Sequence, residues 1–515
     1  MFKKSLYKIY ILFLSQNAEK IQTIYKILEV THMAILENFE PKNVFHYFEE
    51  ICGIPHGSGN TKQISDYLVN FAKEHDLKYV QDDMNNVVIY KPATPGYENA
   101  PTVILQGHMD MVCAKCPEIE HDFTKDGLKL VVKDGFLSAE GTTLGGDDGI
   151  AVAYGLALLD STDLPHPALE VVFTVDEETG LLGADGFDCS LLKGRRMINL
   201  DSEKEGCLWV SCAGGVAGNS YLPVRRVDAS GRKVNVKVCG LVGGHSGAEI
   251  HKNRASANIL MGQFLYELSH VCGYALKELE GGQQDNVITK ECEAVLLVLP
   301  EEISQITSLA KKMQKDFRAE YTGTDDTITI QITEEGDMDA QVLHPTSQEK
   351  VLFYLMNMPF GVKKMSGTIE NLVETSCNPG ILKLYGDELF VQTSIRSSVG
   401  TAKEALSHKI QYLTEFLGGE YETEGAYPAW EYRKAFPLRD KMVEIYKNIY
   451  GKDLDVVAIH AGLECGIFYE RMENLDCTSL GPDILDIHTS KERLDMASVK
   501  RVWEYLTEVL KNLKD

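Results

Sequence analysis

No stretch of this chain reaches the roughly 18 consecutive apolar residues that a membrane-spanning helix requires. Basic residues are in short supply: 51 Lys and Arg stand against 76 Asp and Glu, a net charge of −25. Nucleic acid and anionic membrane would both be repelled, which argues against either as a partner. Regular cysteine spacing is missing too. The 12 cysteines are scattered, and Cys113 and Cys116 form one C-x-x-C with no second pair at zinc-finger distance. Reduced thiols in a cytoplasmic protein are the simpler account than a disulfide framework. No solenoid repeat and no low-complexity linker is visible. Most of the acidic excess reads as solvated surface, so only a few carboxylates need carry chemistry.

What is present fits an ordinary globular protein, with 44% hydrophobic and 25% charged residues. A chain of 515 residues is too long for one core and suggests two or three domains. The first residues, MFKKSLYKIYILFLS, faintly resemble a signal peptide, but Lys8 interrupts the apolar run and no small-residue cleavage site follows. QNAEKIQTIYKILEV reads as an amphipathic helix, and Met33 could be the true start. Residues 1–34 are therefore expected to be an N-terminal extension.

From about residue 41 helical and strand patterns alternate. PKNVFHYFEEICGI and NTKQISDYLVNFAKEHD have helical period, while NVVIYK, PTVILQG, ALEVVFTV and RRMINL are short strand-type runs. GIAVAYGLALLD reads as a helix between two of them. This alternation predicts an α/β fold with a parallel or mixed sheet covered by helices. Near residue 215 the pattern changes. GRKVNVKVCGL alternates as a strand, NRASANILMGQFLYELSHVCGYALKELEGG reads as one long helix, and further strands and a helix over 401–417 follow. We expect a catalytic domain in two parts, 35–214 and 401–515, with an inserted α+β domain over 215–400.

Five residues, in QGHMDMV, LGGDDGI, TVDEETG, INLDSEKEG and LDIHTSK, could surround two metal ions: His108, Asp147, Glu178, Asp201 and His488. Imidazole and carboxylate without thiolate suit catalytic zinc, manganese or cobalt. Three strand-type runs finish on such residues, as expected where an α/β sheet builds its site at the strands' carboxyl ends. Strand period places Asp110 on the same face as His108, where it could fix the ring or orient a different ligand or the base. In the Gly-Gly-Asp-Asp-Gly turn, Asp148 could cap the following helix while Asp147 points to the site. Glu177 and Glu178 point in different directions, so one carboxylate can bind metal while the other stays free for proton transfer.

In order along the chain, GHMDMV, GGDDGI, DEETG, NLDSE, GGHSGAEIH, HAGLECG and a late IHT resemble the co-catalytic di-zinc metallopeptidases of the aminoacyl-histidine dipeptidase group, also called Xaa-His dipeptidases or bacterial carnosinases. The likeness runs from about residue 35 to the C-terminus. It implies that His108, Asp147 and Asp201 hold one zinc, and that Asp147, Glu178 and His488 hold the other, with manganese or cobalt as substitutes. Asp147 would be the bridge, Glu177 the general base and Asp110 the partner behind the ligands. His245, Asn286 and Arg396 fall where relatives hold substrate, and Gly462 matches a backbone position lining the site. The family's inserted lid, which carries a homodimer contact, matches residues 215–400.

The implied reaction is hydrolysis of short peptides with a free carboxylate, Xaa-His dipeptides such as β-Ala-His among them. Two metals roughly 3.5–4 Å apart would share a water and lower its pKa, and Glu177 would take its proton. A broader di- or tripeptidase and an N-acyl amino acid deacylase of the same superfamily are the alternatives. A non-enzymatic binding relative should have lost ligands or base, and all six residues are here.

Overall fold

A computed structural model of the protein describes residues 35–514; the expected N-terminal extension lies outside the described residues. Two large sheets organise the chain, and each has its own hydrophobic core.

The first sheet has eight strands, in the order Lys78–Gln81, Val87–Lys91, Leu169–Thr174, Val103–His108, Arg196–Asn199, Asp476–Ser479, Cys207–Cys212 and Asp455–Ile459. At its centre Val103–His108 runs parallel to both Leu169–Thr174 and Arg196–Asn199. Asp476–Ser479 runs parallel to Arg196–Asn199 on its far side. The Lys78–Gln81 and Val87–Lys91 strands pair antiparallel at one edge. The sheet is thus mixed, and the α/β class expected from the sequence is present. Val103–His108 and Leu169–Thr174 are buried at every residue, which explains why their sequences run apolar without alternation. The helix Gly146–Asp160 is apolar on all sides and buried through residue 159, as a helix enclosed between sheet and outer helix must be. It packs on Val103–His108 and beneath the helix Lys42–Cys52.

The second sheet has nine strands, all paired antiparallel, running from Thr329–Leu343 at one edge to Glu420–Tyr427 at the other. Helices Ala257–Val271, Ile303–Glu320 and Pro345–Asn357 contribute Phe264, Ile306 and Leu355 to its core. This sheet continues past residue 400. The helix Gly400–Phe416 packs Leu406 and Ile410 against Val216, Cys377 and Ile395, and Glu420–Tyr427 pairs with Gly214–Pro223.

One expected element is corrected. The long helix read over NRASANILMGQFLYELSHVCGYALKELEGG stops at Val271, and Tyr274–Gly281 is a strand paired with Cys292–Val298. Cys272 turns to extended backbone and Gly273 follows it, both poor helix continuers. Beyond them the burial alternates, so the neighbouring strand claims the segment. Among the described residues no helix is long and apolar enough to cross a membrane.

Candidate metal centre

Parallel pairing puts the carboxyl ends of three neighbouring strands on one edge of the first sheet. His108 is the last residue of the central strand and lies opposite Thr174. Glu177 and Glu178 follow the strand on one side, and Asp201 follows the strand on the other. Asp147 reaches the same edge from the turn that opens the helix Gly146–Asp160. There Gly145 takes a positive φ of 67°, and a Cβ on it would lie only 2.9 Å from Met111 Sδ and 3.3 Å from His56 Nε2. His488 also has positive φ, in the loop after Ile484–Leu485.

The five expected ligands come together. Asp147 stands between the two histidines: Oδ1 lies 3.2 Å from His108 Nε2, and Oδ2 lies 3.1 Å from His488 Nε2. Asp201 Oδ1 is 3.9 Å from His108 Nε2, and Glu178 Oε1 is 3.0 Å from His488 Nε2. Ligand atoms of His108, Asp147 and Glu178 lie within 4.8 Å of one another, as do those of His108, Asp148 and Asp201. Asp148 is thus closer to the cluster than a helix cap would be. Its Oδ2 accepts the His108 backbone N–H at 3.2 Å, beneath the strand end.

Asp110 touches both things it could have oriented. The His108 ring Nδ1 faces the Asp110 carbonyl at 3.0 Å and its carboxylate at 3.3 Å, which turns Nε2 toward Asp147 and Asp201. The same carboxylate accepts the Glu177 backbone N–H at 3.1 Å and the Ser58 hydroxyl at 2.8 Å.

The cluster is rich in buried negative charge. Asp110, Asp147, Asp148 and Asp201 are each under a tenth exposed, and His108 and His488 are imidazoles in direct contact with them. Burial pulls His108 down, but Asp110, Asp147 and Asp201 outweigh it and hold the imidazolium well above its ordinary range. Hydrogen bonds to Asp147 and Glu178 push His488 up to about 10. Burial drives Asp201 well above the usual carboxylate range, with Asp148 adding to it. Burial also pushes Glu177 up to about 8, with Glu464 and Glu178 adding and His108 opposing. A surplus of enclosed carboxylates is the charge pattern that bound cations neutralise. With nitrogen and oxygen donors only, the residues present fit divalent metal.

Of the expected substrate-side residues, Arg396 lies in the second sheet, His245 in a short two-stranded pair with Val287, and Gly462 in the loop after Asp455–Ile459 of the first sheet. His245 Nδ1 accepts the N–H groups of Gly247 at 3.1 Å and Ala248 at 2.9 Å, so the ring proton sits on Nε2. Burial and then Arg396 hold that ring below its ordinary pKa, hence neutral. A Cβ on Gly247 would lie 3.0 Å from His245 Cε1 and 3.2 Å from Arg396 Nε, so glycine is what lets the two side chains close together. Arg396 gives Nη1–H to the Tyr427 hydroxyl at 2.7 Å, while its buried Nε has no hydrogen-bond partner among the described residues. Gly462 lies under the Tyr427 ring, where a Cβ would be 2.8 Å from Cε2. Asn286 is exposed, and its carbonyl accepts the Ser246 N–H at 2.8 Å, beside the His245 loop.

Sequence reasoning missed several residues here. Tyr427 carried no motif signal, and His460, which opens the HAGLECG segment, was given no role; its Nε2 faces Ser376 Oγ at 2.7 Å. Glu464, in the same segment, is fully buried and accepts from Gln106 at 2.5 Å and Thr174 at 2.7 Å. Burial pushes it up to about 7. Glu492, four residues after His488, looked like surface and is buried.

Residues 104–512 match the sequence pattern of "Peptidase family M20/M25/M40". Over 483 residues the chain is 33% identical to the cytosol non-specific dipeptidase of Escherichia coli (strain K12), covering 93% of this chain and 99% of that protein. The crystal structure of aminoacylhistidine dipeptidase from Vibrio alginolyticus superposes with a TM-score of 0.86 at 34% identity, covering 92% of this chain and 97% of that one. A tripeptidase from Staphylococcus aureus subsp. aureus mu50 gives a TM-score of 0.53 at 16% identity, covering 92% and 99%; at that identity the likeness is one of fold alone.

Proposed function

Because this chain belongs to peptidase family M20/M25/M40, we propose that it is a metal-dependent dipeptidase acting on short peptides with a free carboxylate, Xaa-His dipeptides such as β-Ala-His among them. The observation that carries this reading is the Asp147 carboxylate, with one oxygen toward His108 and the other toward His488. Such a placement suits a bridge between two ions. His108, Asp147 and Asp201 would hold one divalent metal, and Asp147, Glu178 and His488 the other. Zinc is the expected ion, with manganese or cobalt as substitutes. When bound, the pair supplies Lewis acidity and lowers the pKa of a water between them.

The remaining chemistry belongs to side chains. Glu177 takes the proton of the attacking water and passes it to the leaving amine. Asp110 holds both the His108 ring and the Glu177 backbone in register. His245, neutral and protonated on Nε2, donates to the carbonyl oxygen as it becomes an oxyanion. Arg396, its Nε free, pairs with the substrate carboxylate, a forked geometry that lysine lacks. Gly462 and Asn286 line the same side.

In this reading the chain has a metal-carrying domain of two parts and an inserted lid over about 215–400, to which the helix Gly400–Phe416 and strand Glu420–Tyr427 attach. The lid closes over substrate and pairs two subunits in a cytoplasmic homodimer. A broader specificity is the second reading, favoured by the name of the Escherichia coli relative. The test is a substrate panel on chelated protein with zinc, manganese or cobalt restored. It compares β-Ala-His, other Xaa-His dipeptides, unrelated dipeptides, tripeptides and N-acyl amino acids. Fastest turnover of Xaa-His dipeptides supports the first reading, and equal turnover of all dipeptides the second. Hydrolysis of N-acyl amino acids alone would overturn both.

A further inference from the structure

The turn before Asp147 encloses a carboxylate. Glu492 is 3% exposed, and its two oxygens accept four successive backbone N–H groups. Oε2 takes those of Leu144 at 2.8 Å and Gly145 at 3.2 Å; Oε1 takes those of Gly146 at 2.8 Å and Asp147 at 3.3 Å. Successive N–H groups aimed inward form an anion-binding concavity, and this one is filled by a side chain 345 residues away. The two glycines of LGGDDG have a use here. Gly145 takes the left-handed conformation that aims its neighbours' N–H groups together, and a Cβ on Gly146 would already be 3.2 Å from Glu492 Oε1.

The other end of this contact matters as much. Glu492 lies four residues beyond His488, and its own N–H bonds the Thr489 carbonyl at 3.1 Å. One carboxylate therefore fastens the turn of Asp147 to the loop of His488, the two residues that face each other at 3.1 Å. We infer that Glu492 is a positioning residue that presets the spacing of Asp147 and His488 before any metal arrives and so sets how tightly the metal pair binds. This inference rests on the metal reading above for its consequence, but its structural half does not.

Glutamine is the informative replacement, since it keeps the shape but turns one acceptor oxygen into an N–H donor facing N–H groups. In the metal-free protein, hydrogen exchange read by mass spectrometry should show residues 144–147 protected in the wild type and exposed in Glu492→Gln. Protection of the central strand Val103–His108 should be unchanged. Competition against a chromophoric chelator should then show zinc binding weakened about 10- to 100-fold, the usual cost of removing a group behind the ligands. Glu492→Asp, which keeps the charge but falls short by one methylene, should lie between the two. Should Glu492→Gln fail to fold, Glu492→Asp carries both measurements. Unchanged protection of 144–147, or zinc affinity equal to wild type in a variant that has lost that protection, overturns the inference. A wild type that is protected but binds no zinc would instead sink the metal reading and leave the clamp standing.

Discussion

The two sheets place their chemistry in opposite ways. In the first, the reactive side chains sit at or just past the carboxyl ends of parallel strands, and the strands themselves are closed apolar runs. In the second, Arg396 lies within an antiparallel strand, opposite Ser376 on one side and Gly215 on the other. A strand end is a free edge with open backbone and room for several ligands, which suits a cluster that must enclose ions. A position inside a sheet is fixed on both sides and is suited to hold one long side chain steady. In the proposed reading, the first arrangement builds a reaction centre and the second a gauge for what reaches it.

That division can be broken by substitution, and the largest effects should fall at the first sheet. Asp147→Ala removes the carboxylate between both histidines, so metal analysis should find the bound metal lost and turnover abolished. Retention of a full metal complement would show that Asp147 is not the bridge. Glu177→Gln should lower kcat by about 10²- to 10⁴-fold while metal content stays as in wild type. Near-normal turnover there would remove the proton-transfer role even with the ligands intact.

Changes at the second sheet should be smaller and should appear in substrate binding. Arg396→Lys should reduce kcat/KM by roughly 10- to 100-fold, the worth of a charge-assisted hydrogen bond, and mostly through KM. A drop confined to kcat would mean that Arg396 serves the transition state, not the carboxylate. Tyr427→Phe removes only the hydroxyl that accepts from Arg396. About a 2- to 10-fold rise in KM is expected, with the pH profile of kcat unmoved. If that profile shifts, Tyr427 acts on Glu177 and the two regions are less separate than described.

Legibility in the sequence follows the same division. The clustered residues could be read because His108, Glu178 and Asp201 end or follow apolar runs, where a polar side chain stands out, and because Asp147 and His488 stand in the ordered motifs. The first sheet was readable from helix–strand alternation, since its central strands are distinct hydrophobic blocks. The second sheet was harder: at Tyr274–Gly281 the strand follows a helix with only Cys272 and Gly273 between, and local pattern favoured continuing the helix. Tyr427 and Glu492 were invisible for another reason. What defines each is a contact to a residue far along the chain, and nothing in the neighbouring letters encodes it. Glu492 in HTSKE reads as solvated charge until the turn 144–147 is laid against it.

One feature of the first sheet bears on how the protein is made. The strand Asp476–Ser479 is internal, held between Arg196–Asn199 and Cys207–Cys212. On the ribosome, a nascent chain that has delivered every strand up to Ile459 still has a gap where that strand belongs, and it lacks His488. A chain that stops before residue 476 therefore lacks both the strand that completes the sheet and His488, the residue that faces Asp147 at 3.1 Å.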